Sequence, residues 1–132
     1  MNDWRHMAAD SSKAAKDLLR GHRYRSSISR SYYASYSLVT HRLVSQGFKT
    51  FGRFSNPAHV DVAAFALSSL AGVSEADRRT VSRAVRVLRM HREDADYRPH
   101  ANVDAQACRD CARLMSKVFK SLGESESKEG VA

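Results

Sequence analysis

Residues 81–97 read VSRAVRVLRMHREDADY, a sequence whose periodicity sets the fold class. At the 100° per residue of an α-helix, Val81, Ala84, Val85, Leu88 and Ala95 fall on one side. Arg92 falls in the middle of that apolar stripe, and Asp96 follows one turn later on nearly the same face. No period-two alternation competes with the helical repeat, here or elsewhere in the chain. The stretch therefore predicts a core-facing helix that carries a charge on its buried side. A buried guanidinium is costly unless paired and hydrogen-bonded. Arg92 and Asp96 are expected to pair, with Tyr97 adjacent, either as an ion pair that fixes the helix end or as the floor of a functional cleft.

The same periodicity extends in both directions. Ser74, with Asp77 three residues on, approximates a capping box after Gly72, and Pro99 forbids much continuation past about Ala95. Upstream, Asn2 to Arg20 places Trp4, Met7, Ala8, Ser11, Ala15 and Leu18 on one face, with Gly21 as the expected left-handed stop. His22 to Gln46 carries Tyr24, Ile28, Tyr32, Ser35, Val39 and Leu43 as one continuous stripe, closed by Gly47. A loop from Phe48 to Ser55 follows, and Asn56-Pro57 signals a third helix to about Leu70. That helix is mostly apolar and is expected to be well buried. Downstream, about Val103 to Leu122 sets Cys108, Cys111, Ala112, Met115, Val118, Phe119 and Leu122 on one side. The expectation is an all-α helical bundle in one domain, residues 1–122, with a disordered charged tail at 123–132.

Charge narrows the function. The chain's 132 residues hold 22 Lys and Arg against 14 Asp and Glu, a formal net charge of +8. Such a balance attracts polyanions. Sixteen of the basic residues are arginine, whose planar fork binds phosphate and stacks on bases; a GC-rich coding sequence would enrich arginine equally. Arg79, Arg83 and Arg86, flanked by Arg78 and Arg89, form either a phosphate-contacting stripe or a solvated face. Arg20, His22, Arg23 and Arg25 would extend that surface. Tyr33 and Tyr36 flank the stripe of the second helix, placed to stack on a base or to pack on a neighbour.

Several classes drop out. No run of 18 apolar residues exists to span a membrane, Met1 to Asp10 lacks a signal-peptide core, and two cysteines are too few for a disulfide framework. A cytoplasmic protein is expected. Cys108-x-x-Cys111 on a helix points both thiols to the core, with no second ligand pair. The histidines lack metal-binding spacing, and there is no glycine-rich phosphate loop or nucleophile elbow. No metal or cofactor is expected, so a nucleotide would be held by side chains.

Tyr32-Tyr33-Ala34 in the long second helix, His59 opening the third, and Arg92-Glu93-Asp94-Ala95-Asp96-Tyr97 closing the fourth stand in a telling order and spacing. Over roughly Ala8 to Lys120 the chain resembles the HEPN family (higher eukaryotes and prokaryotes nucleotide-binding), above all its short stand-alone prokaryotic members. The resemblance implies an up-and-down four-helix bundle with an additional short helix, commonly a homodimer. It implies a toxin–antitoxin or defence-type protein that engages RNA or nucleotides, in many members as a metal-independent endoribonuclease. The alternative it implies is a non-catalytic, substrate-binding partner of a minimal nucleotidyltransferase. The protein partner would accordingly be an antitoxin or a nucleotidyltransferase.

Ribonuclease members carry an arginine and a histidine separated by four to six residues, and two copies meet to attack RNA through its 2′-hydroxyl. Counted from Arg92, that histidine belongs at 97, 98 or 99, which are Tyr97, Arg98 and Pro99; His100 stands one residue late. Arg86 with His91 and Arg53 with His59 match the loose spacing at about the chance frequency for this composition, and Arg86 and His91 point about 140° apart on a helix. The catalytic candidates are Arg92, to stabilise phosphate charge, and His100, as general base or acid. Asp96, Tyr97, Arg86 and Tyr33 are the candidate binding residues.

Overall fold

A computed structural model describes residues 3–49 and 57–126. It holds α1 (Trp4–Arg20), α2 (Tyr24–Ser45), α3 (Val62–Ser69), α4 (Glu75–Tyr97) and α5 (Ala105–Ser121), with no strand among the described residues. α1, α2, α4 and α5 make an up-and-down four-helix bundle, and α3 is the additional short helix, laid mainly on α4. The chain ends report the antiparallel order. Arg5, early in α1, pairs at 2.8 Å with Glu124 just past α5, and Arg25, early in α2, binds carbonyls at the end of α4. No helix among the described residues is long and apolar enough to cross a membrane.

α2 is the central element and touches all four other helices. Its expected stripe is buried from Ile28 to Leu43, but so are Ser31, Ala34, Tyr36, Ser37, Leu38 and Thr40. A helix enclosed on several sides needs small residues where a neighbour comes close. Ser27 fills that role against α1, its hydroxyl donating to the Ala15 carbonyl at 2.6 Å. Tyr32, Phe119, Ile28, Leu38, Leu43, Leu88 and Met115 are the largest fully buried side chains, each worth about 2 kcal/mol of transfer free energy. Cys108 and Cys111 are free thiols in this core, and burial pushes Cys111 up to about 12.

Three local expectations are corrected. In α1 the buried positions are Ala8, Ala9, Ser11, Ser12 and Ala15, whereas Met7 is 49% exposed. The stripe is rotated because α1 packs through small residues onto α2, leaving Met7 at the rim. The left-handed residue after α1 is His22 (φ 61), not Gly21. Arg23 N–H donates to the Leu18 carbonyl and His22 N–H to that of Leu19, a Schellman closure. His22 Nδ1 lies 2.8 Å from the Tyr24 hydroxyl, which holds the imidazole in place. Third, α3 starts only at Val62 and buries only Val62 and Ala66 of its eight residues. The Pro57 carbonyl, which would have opened an earlier helix, instead accepts the Tyr36 hydroxyl at 2.6 Å. Asn56 lies outside the described residues.

The Ser74 cap forms as read, its hydroxyl accepting from Asp77 N–H, and Asp104 caps α5 through Ala107 N–H in the same way. Beyond α5, Glu124 pairs with Arg5 and Glu126 with Lys16, so residues 123–126 lie against α1. Residues 127–132 are outside the described set.

Candidate nucleic-acid interface

Antiparallel packing of α2 on α4 sets the face carrying Tyr32 and Tyr33 against the last turns of α4. Arg92 is only 7% exposed there. Its guanidinium carbon lies 5.2 Å from the Tyr32 ring centre and 5.6 Å from those of Tyr33 and Tyr97. Three ring faces stabilise the cation through their quadrupoles without using its N–H groups.

Those N–H groups are weakly engaged. Nη1 reaches the Tyr97 hydroxyl at 3.4 Å and that of Tyr33 at 3.5 Å, beyond the usual range for N–H···O bonds. The expected pair with Asp96 forms at 3.8 Å, while the Asp96 carboxylate also accepts from Ser29 at 3.2 Å. Nε is buried with no partner, and Nη2, which is not sealed from solvent, has none among the described residues. A guanidinium offers five donors; most of these remain unspent.

His59 completes the aromatic group. Its ring packs on Tyr36 at 4.3 Å between centres and meets Tyr32 and Tyr33 at 5.6 and 5.7 Å. Its Nδ1 is 2.7 Å from the Tyr32 hydroxyl. Burial first, then the positive charges of Arg92 and Arg89, hold His59 below the ordinary histidine value. Burial likewise raises the Tyr32 hydroxyl, so it keeps its proton.

Two grooves share His59 as a wall. One, of 260 Å³, is lined by Trp4, Met7, Arg30, Tyr33 and Tyr36 among others. The second, of 300 Å³, runs between α3 and α4 past Val62, Ala63, Val85, Arg86 and Arg89. Both are at or just below the small end of ligand clefts.

The structure thus brings Arg92, Asp96, Tyr97 and Tyr33 together and puts Arg86 in the second groove, which His59 also lines. His100 sits apart in an exposed turn and makes no hydrogen bond, ion pair or ring contact with the Arg92 group. Arg25 holds that turn. Its Nη1 donates to the carbonyls of Asp94, Ala95 and Arg98, and its Nη2 to those of Pro99 and Ala101, all at 3.0–3.1 Å.

Other basic residues are likewise committed. Arg78 donates to the Leu67 and Val73 carbonyls, Arg79 pairs with Glu75, and Arg89 with Glu93 at 3.4 Å. Arg30, Arg83 and Arg86 are exposed and unpartnered among the described residues. Arg53 lies outside them. No group of three or more His, Cys, Asp or Glu among the described residues is placed to hold a metal ion.

Such an arrangement defines a class: a basic helical bundle with a buried arginine caged by aromatics. A family model described as HEPN domain matches residues 1–125, and the chain belongs to that family. Membership ties it to nucleotide- and RNA-related function. No curated protein and no solved structure matches the chain.

Proposed function

We propose that this is a toxin–antitoxin or defence-type HEPN protein that engages RNA by seating a backbone phosphate on Arg92, with Tyr33, Tyr97 and Asp96 setting the geometry and Arg86 contacting the strand nearby. The observation that carries this reading is the unspent guanidinium: Nη2 open, Nη1 held only by long contacts, and the charge kept in place by rings. An entering phosphate oxygen would take those donors and displace the weak tyrosine contacts. The working unit is proposed to be a homodimer. The exposed apolar side chains of Val60 and Leu67 on and beside α3 are consistent with a partner surface.

In its catalytic form the proposal makes this a metal-independent ribonuclease. Arg92 stabilises charge on the scissile phosphate, and His100 exchanges a proton with the 2′-hydroxyl or leaving oxygen. The separation of His100 from Arg92, and the five bonds with which Arg25 pins its turn, favour a second reading. There, the protein binds substrate without cutting it, as the helical partner of a minimal nucleotidyltransferase.

Incubation of the wild type and Arg92→Ala with RNA in EDTA, followed by binding and product assays, decides. RNA bound by the wild type and released by the variant supports engagement at Arg92. Cleavage lost in both Arg92→Ala and His100→Ala supports the ribonuclease. Wild-type protein that neither binds nor cleaves RNA overturns the proposal.

A further inference from the structure

His59 is the one residue common to both grooves, and its hydrogen bonding fixes what it offers a ligand. The Tyr32 hydroxyl is fully buried and has a single hydrogen-bond partner among the described residues, Nδ1 of His59 at 2.7 Å. If Nδ1 carried the proton, the hydroxyl would accept, and its own hydrogen would be buried with no acceptor among the described residues. Such an orphan donor costs about 1–3 kcal/mol. Tyr32 therefore donates to Nδ1, and the neutral imidazole carries its proton on Nε2. Nε2 has no partner among the described residues and is not sealed from solvent, so this N–H faces the groove space.

The surroundings differ on the two sides. One groove offers the rings of Trp4, Tyr33 and Tyr36 with unpartnered Arg30 at its edge. Rings of this kind stack on a base with little regard to its identity. The other offers apolar walls with unpartnered Arg86 beside Arg89, suited to the charged side of a strand. At 260 and 300 Å³, each has room for one unit of a polymer rather than an extended cofactor.

We infer that a single strand of RNA crosses over His59, placing a base in the Trp4–Tyr33–Tyr36 groove and the following phosphate by Arg86, and that the Nε2–H of His59 donates to the backbone between them. The inference rests on the RNA reading above and deepens it by assigning the strand's path and a residue that binds as a neutral donor. Burial and the nearby arginines lower the proton affinity of His59, and with Nδ1 occupied by the Tyr32 hydroxyl its role is hydrogen-bond donation rather than proton abstraction. Tyr32 acts through His59 as a positioning residue that selects the tautomer.

The test combines binding with nitrogen-15 NMR of histidine-labelled full-length protein. In the free protein His59 should show the Nε2–H tautomer, and a short single-stranded oligoribonucleotide should shift its Nε2 resonance. His59→Phe should weaken oligonucleotide binding about 10- to 100-fold, the range for a hydrogen bond to a charged group. His59→Gln, whose amide nitrogen approximates the Nε2 position, should stay within about threefold of wild type by the same scale. Tyr32→Phe should leave a folded protein in which His59 no longer shows a single tautomer. AMP alone should bind more weakly than the oligonucleotide.

An Nδ1–H tautomer in the free protein overturns the inference even if His59→Phe fails to fold. Unchanged oligonucleotide affinity in folded His59→Phe, with Arg92→Ala impaired, overturns it while leaving the RNA reading intact. AMP binding as tightly as the oligonucleotide overturns the strand path. Wild-type protein that binds no RNA removes the RNA reading and this inference together.

Discussion

Two arginines sit at the seam of α2 and α4 and are treated in opposite ways. Arg25 spends its terminal nitrogens on five carbonyls of the turn that ends α4, each at a good distance. Arg92, more deeply buried, is held by three rings, two long hydroxyl contacts and a carboxylate at 3.8 Å, and its Nε has no partner. The helix end needs Arg25 because the Ala95, Pro99 and Ala101 carbonyls have no backbone donor among the described residues, whereas those of Asp94 and Arg98 do. Nothing in the fold uses up Arg92. Saturated donors mark architecture, and unsaturated donors held in place mark readiness for a ligand.

Arg25 should show the larger effect on stability. Arg25→Ala leaves several carbonyls without their donor and should cost about 2–4 kcal/mol of stability by chemical denaturation, scaled from bonds to a charged group. Its RNA affinity should change far less than its stability. Arg92→Met should do the reverse: an apolar side chain of similar reach keeps stability within about 1 kcal/mol, while RNA affinity falls at least tenfold, about 1.4 kcal/mol. Equal destabilisation by the two substitutions would make Arg92 a structural pin and remove the contrast.

Stability should also depend on pH through His59. His59 has a folded pKa below its ordinary 6.5, chiefly from burial and then from Arg92 and Arg89. The unfolded chain therefore takes up the proton first. Stability should be full above pH 6.5, decline as pH falls below it, and level off once folded His59 is also protonated. His41, lowered chiefly by burial, adds to the same decline. In Arg92→Met one depressing charge is gone, so the His59 pKa followed by NMR should rise towards 6.5. An unmoved His59 would show that the two residues do not share a site.

The smallest effect belongs beside Arg25, in the turn between α1 and α2. His22→Gly relieves a left-handed residue of its side-chain strain but removes the bond to Tyr24. A net gain of up to about 1 kcal/mol is expected in thermal unfolding, with RNA binding unchanged.

Helices, their caps at Ser74, and the inward placement of Arg92 were legible from periodicity and cap chemistry, because these depend on residues three or four apart. The stripe of residues 81–97 even implied the pair with Asp96. The start of α3 was not legible, since the Tyr36 hydroxyl that takes the Pro57 carbonyl comes from 21 positions away. Nor was the rotation of α1, which follows from how closely serines and alanines let α2 approach. His59 entered only through the family pattern. Its proximity to Arg92 in the chain is 33 positions, and no local rule joins them.

Residue order alone specifies an all-helical, basic chain with one arginine turned inward and a histidine missing where a ribonuclease of this family would carry it. Packing sets which histidine faces the Arg92 group, which arginine is consumed as a cap, and which cations remain unpartnered among the described residues. Helical periodicity is a short-range property of the backbone. The sharing of donors and acceptors is settled only when distant segments pack, because each buried polar group takes the partner that packing brings to it.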